Sequence, residues 1–400
     1  MSKSPFTPGY GRPPVIFGGR RAELEDLTRV FRDHDFGENQ SVLVSGLRGA
    51  GKTSMLAELR DSALENWWLT ISEDASPGML GRIRDSHLPA LINRLTVPQR
   101  TRLAGLGLWH FSAEFTVEDV RRPISPLLRT DLVALTEITD NAGLLITIDE
   151  VATGRTDKDE IRTLALEISH AIAEGANIMV VYAGVKIDLD DLIRQEHLTF
   201  LRRSRRIDFR RLSPSETRRV LAETTATGGR TITDDALDLM LSVSQGYPYL
   251  VQLLGDYAWR HDPEADEIGI DAARSARSRG VHAIQERVVS RVYDDLSETD
   301  RIFVRALAAI GDRAKMADVI SGMRELSAAV GRDPSVVTPQ YAQQYRSRLV
   351  DSGYVESHGH GYVRFSLPYL GDYIRAMGAD GQETDGSPAD DWDRFPPPPL

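Results

Sequence analysis

The stretch Gly46-Leu47-Arg48-Gly49-Ala50-Gly51-Lys52-Thr53 has the spacing G-x-x-x-x-G-K-[ST], between an apolar run (Ser41 to Val44) and a helical pattern (Ser54 to Ser62). Glycines at those positions let backbone N–H groups turn inward around an anion, and a helix that starts there adds its positive end. Lys52 can reach terminal phosphates, and the Thr53 hydroxyl can ligate Mg²⁺. Lys52 is one of five lysines (Lys3, Lys52, Lys158, Lys186, Lys315) among 48 basic residues, so chance is a poor explanation of the pattern. A second run, Leu144-Leu145-Ile146-Thr147-Ile148-Asp149-Glu150, is apolar throughout and ends in two acids. A strand buried on both faces reads this way, and ligands gather at the carboxyl ends of parallel strands. Asp149 can then hold the Mg²⁺ shell, and Glu150 can polarise a water as general base.

Elements that position such residues follow on both sides. Val15-Ile16-Phe17-Gly18-Gly19-Arg20-Arg21-Ala22-Glu23-Leu24 places an apolar patch and a glycine turn before a helix. Asn177 to Ala183 is another buried-type strand. Phe200 to Arg211 holds six arginines and one acid, which reads as a basic surface, as stems covering apolar area, or as phosphate contacts. Ser213-Pro214-Ser215-Glu216 supplies N-cap, N1 proline and N3 acid for a helix. Thr233 opens the next helix, which stops at Gly246 with Pro248 beyond.

Together these motifs resemble the AAA+ and STAND class of ATPases, above all initiator-type and archaeal-type members. The resemblance covers about residues 14–260 and looks most like a group of bacterial ATP-binding proteins. It implies an α/β fold: a doubly wound parallel-sheet P-loop NTPase core, then an all-α lid and a winged helix-turn-helix. It further implies ATP and Mg²⁺ as ligands. Residues 46–53 and Ser54 would hold the phosphates, and the Phe17–Arg20 segment would pack on the adenine. An arginine finger would come from Arg202, Arg203 or Arg205, acting across a subunit interface of a homo-oligomer. Gly246-Tyr247-Pro248 resembles a GxP lid motif in which Gly246 and Pro248 approach the nucleotide, although a C-cap and turn explain the same residues. The polar sensor residue expected near Tyr182-Ala183-Gly184-Val185 is missing, which argues for slow hydrolysis.

The C-terminal part reads as a third unit. Asp271 to Leu296 is helical, and Ser297-Glu298-Thr299-Asp300 is a capping box. Helices follow from there, over Lys315 to Val330, and from Thr338-Pro339 to Gly353. On the last of these Tyr341, Tyr345 and Leu349 fall on one face and should point to the core, leaving Gln340, Gln343, Gln344, Ser347 and Arg348 outside. Tyr354 to Glu356 and Tyr362 to Phe365 form a hairpin around His358-Gly359-His360-Gly361, where two histidines make a turn rather than a metal site. Two partners fit this unit: duplex DNA, read by the third helix, or a protein effector. Residues 297–377 carry ten bases and nine acids, which is weak for DNA.

The expected boundaries are an arm at 1–14, the ATPase core at 15–212, the lid at 213–290, the winged unit at 291–377 and an acidic, proline-rich tail at 378–400. The tail holds six acids against Arg394, and its composition predicts disorder. The 97-position spacing from Lys52 to Asp149 predicts an insertion, with no clear pattern from Leu95 to Glu118. There is no cysteine, which excludes disulfides and thiolate metal sites. No apolar run is long enough for a membrane span, and the first residues lack a signal-peptide core, so a cytoplasmic location without membrane contact is expected. Three functions compete: a slow ATP-dependent switch acting on DNA, a STAND-like signalling or defence ATPase that contacts protein, and a nucleotide-bound transcription regulator without hydrolysis.

Overall fold

The computed structural model describes residues 3–9, 12–96, 127–139, 142–151, 158–195, 198–359 and 361–379. The expected insertion and acidic tail lie almost wholly outside them, as does His360. The core begins with α1 (Arg21–Asp33), β1 (Ser41–Gly46), α2 (Lys52–Glu65) and β2 (Leu69–Asp74). Next come α3 (Met79–Arg82), a π-helical turn (Ile83–His87), α4 (Leu88–Thr96) and α5 (Leu128–Ile138). It closes with β3 (Leu144–Val151), α6 (Lys158–Ala173), β4 (Ile178–Gly184), α7 (Lys186–Arg194), a 3₁₀ turn (Thr199–Arg203) and β5 (Arg205–Phe209).

The five strands form one parallel sheet in the order β2-β3-β4-β1-β5. Successive side chains leave a strand on opposite faces. Val42 and Val44 therefore pack with Leu27, Phe31 and Leu59 of α1 and α2, while Leu43, Ile146 and Tyr182 pack with Leu132, Leu164 and Leu192 on the other face. This is the doubly wound arrangement, and it brings the ends of β1, β3 and β4 together.

The lid contains α8 (Pro214–Thr227), α9 (Asp234–Ser244), α10 (Pro248–Trp259) and α11 (Ile270–Ile284), with a short parallel pair, β6 (Thr231–Ile232) and β7 (Glu267–Ile268). The Ser213 cap is complete: its hydroxyl accepts from Glu216 N, and the Glu216 carboxylate accepts from Ser213 N at 2.9 Å. The lid is thus not purely helical, and its boundary with the last unit is not a linker. From α11 the helical path runs on through a π-helical turn (Gln285–Val289) into α12 (Ser290–Asp294). Residues from both sides of position 290 share one apolar core that includes Tyr247, Trp259, Val289 and Phe303.

The C-terminal unit has α13 (Glu298–Ile310), β8 (Arg313–Lys315), α14 (Met316–Ala329), α15 (Pro339–Asp351), β9 (Val355–Ser357), β10 (Tyr362–Phe365) and α16 (Leu370–Ala379). Three antiparallel strands lie in the order β8-β10-β9. This arrangement is compatible with a winged domain. On α15 the fully buried residues are Ala342 and Leu349, while Tyr341 and Tyr345 are only half buried and meet at a tilt with ring centroids 4.8 Å apart. The arm is no loose extension: Phe6 is 3% exposed and sits against Gly255 of α10. Among the described residues no helix is long and apolar enough to cross a membrane.

Candidate nucleotide site

The loop between β1 and α2 is held open by its glycines. Gly49 and Gly51 have φ of 72° and 99°, a region that favours glycine, and Gly51 is the residue on which α2 starts. Lys52, half-buried at the mouth of the helix, donates from Nζ to the carbonyl oxygens of Gly46 at 2.8 Å and Leu47 at 2.9 Å. Burial lowers its pKa to about 8, partly offset by Asp149 and Glu150. Thr53 Oγ1 donates to Asp149 Oδ2 at 2.6 Å, and the other Asp149 oxygen accepts from Glu150 N at 2.8 Å. Glu150 itself has φ of 51°, and the β3–β4 register shifts between Ile148 and Val151. That bulge turns Glu150 out of an otherwise buried strand, leaving it exposed beside Asp149.

These residues line one cleft of about 1240 Å³. Residues 47–54, Asp149 and Glu150 form one end, and Phe17, Arg20 and Pro248 also border it. Gly46 lies beneath the loop, against Phe209. Arg20 reaches the carbonyls of Asp208 and Arg210 and lies 5.0 Å from the centroid of the Phe209 ring, which Phe17 meets edge-on.

Other sequence candidates fall elsewhere. Gly246 does not border the cleft. Its φ is 71°, its carbonyl accepts from Leu212 N at 2.7 Å, and a side chain there would overlap the Leu212 backbone. Its constraint is the hinge between core and lid. Arg205, one finger candidate, pairs with Asp26 and Asn39 of its own chain. It is opposite Val42, at the start of β1 and far along the strand from the phosphate loop. Arg202 and Arg203 are exposed on the 3₁₀ turn. Arg348, expected to face a DNA groove, instead pairs with Asp300 and donates to Ser297 Oγ at 2.7 Å.

Several cleft residues carry no sequence motif. Asp74 is opposite Asp149 in the β2–β3 register, and burial, with Asp149 and Glu150 nearby, raises its pKa. The lid reaches the phosphate loop itself: the Tyr247 hydroxyl donates to the Arg48 carbonyl, and Tyr249 N donates to the Gly49 carbonyl at 3.2 Å. Asp295, Ser352, Tyr354 and Leu367 bring the C-terminal unit to the same cleft, with Asp295 3.8 Å from the Arg48 guanidinium. Thr7 and Arg12 bring the arm.

The donor set suits Mg²⁺. It offers one hydroxyl and one buried carboxylate, and no group of three or more His, Cys, Asp or Glu gathers among the described residues. Mg²⁺ keeps waters and takes phosphate oxygens rather than filling an all-protein cage.

Residues 17–181 match the family model described as AAA ATPase domain, and residues 286–374 match one described as a domain of unknown function. No curated protein matches the chain. Among solved structures, the Walker-type ATPase of Pyrococcus abyssi is similar over 90% of this chain and 96% of its own, with a TM-score of 0.62 at 13% identity. The ORC2 protein of Aeropyrum pernix, in ADPNP–ADP complexes, is similar over 93% of this chain and 98% of its own, with a TM-score of 0.59 at 14% identity. At those identities the likeness is one of fold. A phosphate loop, a carboxylate bonded to its threonine and the matched family model agree: this chain has the fold of an AAA+-type P-loop ATPase, and its residues 17–181 are similar to an AAA ATPase domain.

Proposed function

We propose that the protein is an ATP-hydrolysing switch whose nucleotide state is read by its C-terminal unit. The observation that carries this reading is the make-up of the cleft, where the phosphate loop meets Pro248 of the lid and Asp295 and Tyr354 of the C-terminal unit. The Aeropyrum pernix relative, described with ADPNP and ADP, supports the choice of nucleotide.

In this reading the ATP phosphates lie on the backbone of residues 47–53, and Lys52 exchanges the Gly46 and Leu47 carbonyls for phosphate oxygens. Thr53 and Asp149 would hold Mg²⁺, which would supply charge neutralisation at the phosphates. Glu150 accepts a proton from water as the water oxygen bonds to the γ-phosphorus, and ADP departs with the bridging oxygen. Turnover is low, because β4 ends on Ala183-Gly184 and offers no polar side chain to hold that water. Arg202 and Arg203, which make no ion pair among the described residues, are the groups left to act on a neighbouring copy.

Between the two partner classes, the geometry favours protein. Arg348 and Arg346 of α15 are both engaged within the unit, Arg346 with Gln343 at 3.1 Å and Ser357 at 2.8 Å. The exposed Gln340, Gln343, Gln344 and Ser347 keep duplex DNA as the second reading.

The test is hydrogen exchange on Glu150→Gln with ATP and with ADP. Amides of α15 and β9 should exchange at different rates in the two states, alongside those of the phosphate loop. A difference confined to the loop would sink the readout.

A further inference from the structure

The lid segment Gln245–Tyr249 makes three separate attachments. Gly246 bonds to Leu212 at the hinge. Gln245 accepts from Arg211 at 3.1 Å, and that guanidinium also donates to the Ser366 carbonyl of the C-terminal unit. Tyr247 and Tyr249 then hold the carbonyls of Arg48 and Gly49 in the phosphate loop. Tyr247 is 1% exposed, so its hydroxyl has no water to turn to if it lets go of that carbonyl. The fit is close on the loop side too: a Cβ added to Gly49 would sit 2.6 Å from the Tyr247 hydroxyl oxygen.

A phosphate loop binds anions through backbone N–H groups that must all point one way. Each peptide has its carbonyl opposite its N–H, so fixing the Arg48 carbonyl fixes the N–H of Gly49, while the N–H of Ala50, on the peptide whose carbonyl Tyr249 holds, donates to the Leu47 carbonyl at 3.2 Å and closes the turn. Both bonds come from the lid. We infer that Tyr247 is a positioning residue for the nucleotide site, holding the phosphate loop in its anion-binding conformation through the Arg48 carbonyl. The lid thereby senses the loop directly, and a nucleotide that shifts residues 48–49 shifts α10 with them. The inference rests on the nucleotide reading above.

The test compares a buried phenol with a half-buried one. Tyr247→Phe keeps the ring and removes the bond to the loop. Tyr369→Phe removes a similar bond, from Tyr369 to the Val243 carbonyl at 2.9 Å, that lies away from the loop. Fluorescent ADP and Mg-ATP titrations on the full chain are read beside the melting temperature of the nucleotide-free protein. The Tyr247→Phe protein should melt close to Tyr369→Phe yet bind nucleotide about five- to tenfold more weakly, while Tyr369→Phe binds as the parent does. Parent-like affinity in Tyr247→Phe overturns the inference. Equal loss in both variants also overturns it, because the loss then comes from the fold. A parent that binds neither nucleotide overturns the functional reading itself.

Discussion

At the scale of residues, Lys52 sets a pH dependence whose sign is fixed. Burial favours its neutral form and brings the pKa to about 8, whereas a bound phosphate needs the ammonium. Below that value the empty site is already charged and this group adds no pH dependence. As pH rises through it, an increasing share of the protein must take up a proton before binding, so affinity falls toward tenfold per unit. ADP titrations from about pH 6.5 to about 9.5 should be flat at first and then weaken, with proton uptake seen by calorimetry in two buffers. An affinity unchanged to the alkaline end would mean that Lys52 stays charged in the empty site. The Lys52, Thr53 and Asp149 cluster was legible in the sequence because each motif is local and carries its own spacing. Asp74 was not, because only the β2–β3 register sets it beside Asp149. Gly246 was legible as a residue with a special backbone, but the partner that demands it, Leu212, is 34 positions away and left no mark on the motif.

At the scale of elements, the strands and caps followed from pattern: β1, β3 and β4 begin and end within a few residues of their apolar runs, and Ser213 caps α8 with both expected bonds. What pattern could not supply was how elements attach to one another. Residues 1–14 read only as an arm in the sequence; in the structure Phe6 is buried against α10 and Thr7 N donates to Gln252 Oε1 at 3.0 Å. The same segment goes on to border the cleft before reaching α1. It therefore straps the lid to the core. Replacing Phe6 by Ala removes a buried aromatic side chain, a change that costs about 3 kcal/mol at a fully packed site. The strap should loosen, and the dissociation rate of a fluorescent ADP should rise by at least several-fold. An unchanged rate, with the melting temperature lowered, would leave Phe6 as lid packing only.

At the scale of the whole molecule, the question is what the C-terminal unit touches. Helix order and hairpin pointed to a C-terminal unit compatible with a winged domain, but not to which of its faces is free. The structure turns the end of α15 and the start of β9 inward: Asp351 lies 3.8 Å from Lys186, Gly353 packs on Leu47, and Tyr354 borders the cleft. A duplex could reach only the outer, glutamine-bearing face, and it would find there arginines already engaged within the unit. Affinity for DNA comes largely from phosphate contacts and their released counterions, so such a face should bind poorly and without a steep salt slope. Anisotropy of labelled duplex with Glu150→Gln, loaded with ATP or ADP, should therefore stay low in both states down to low salt. Tight binding in ATP alone, weakening linearly in log salt, would reverse the preference. It would require Arg348 to leave Asp300, so Asp300→Asn, which weakens that pair, should then bind DNA more tightly than its parent.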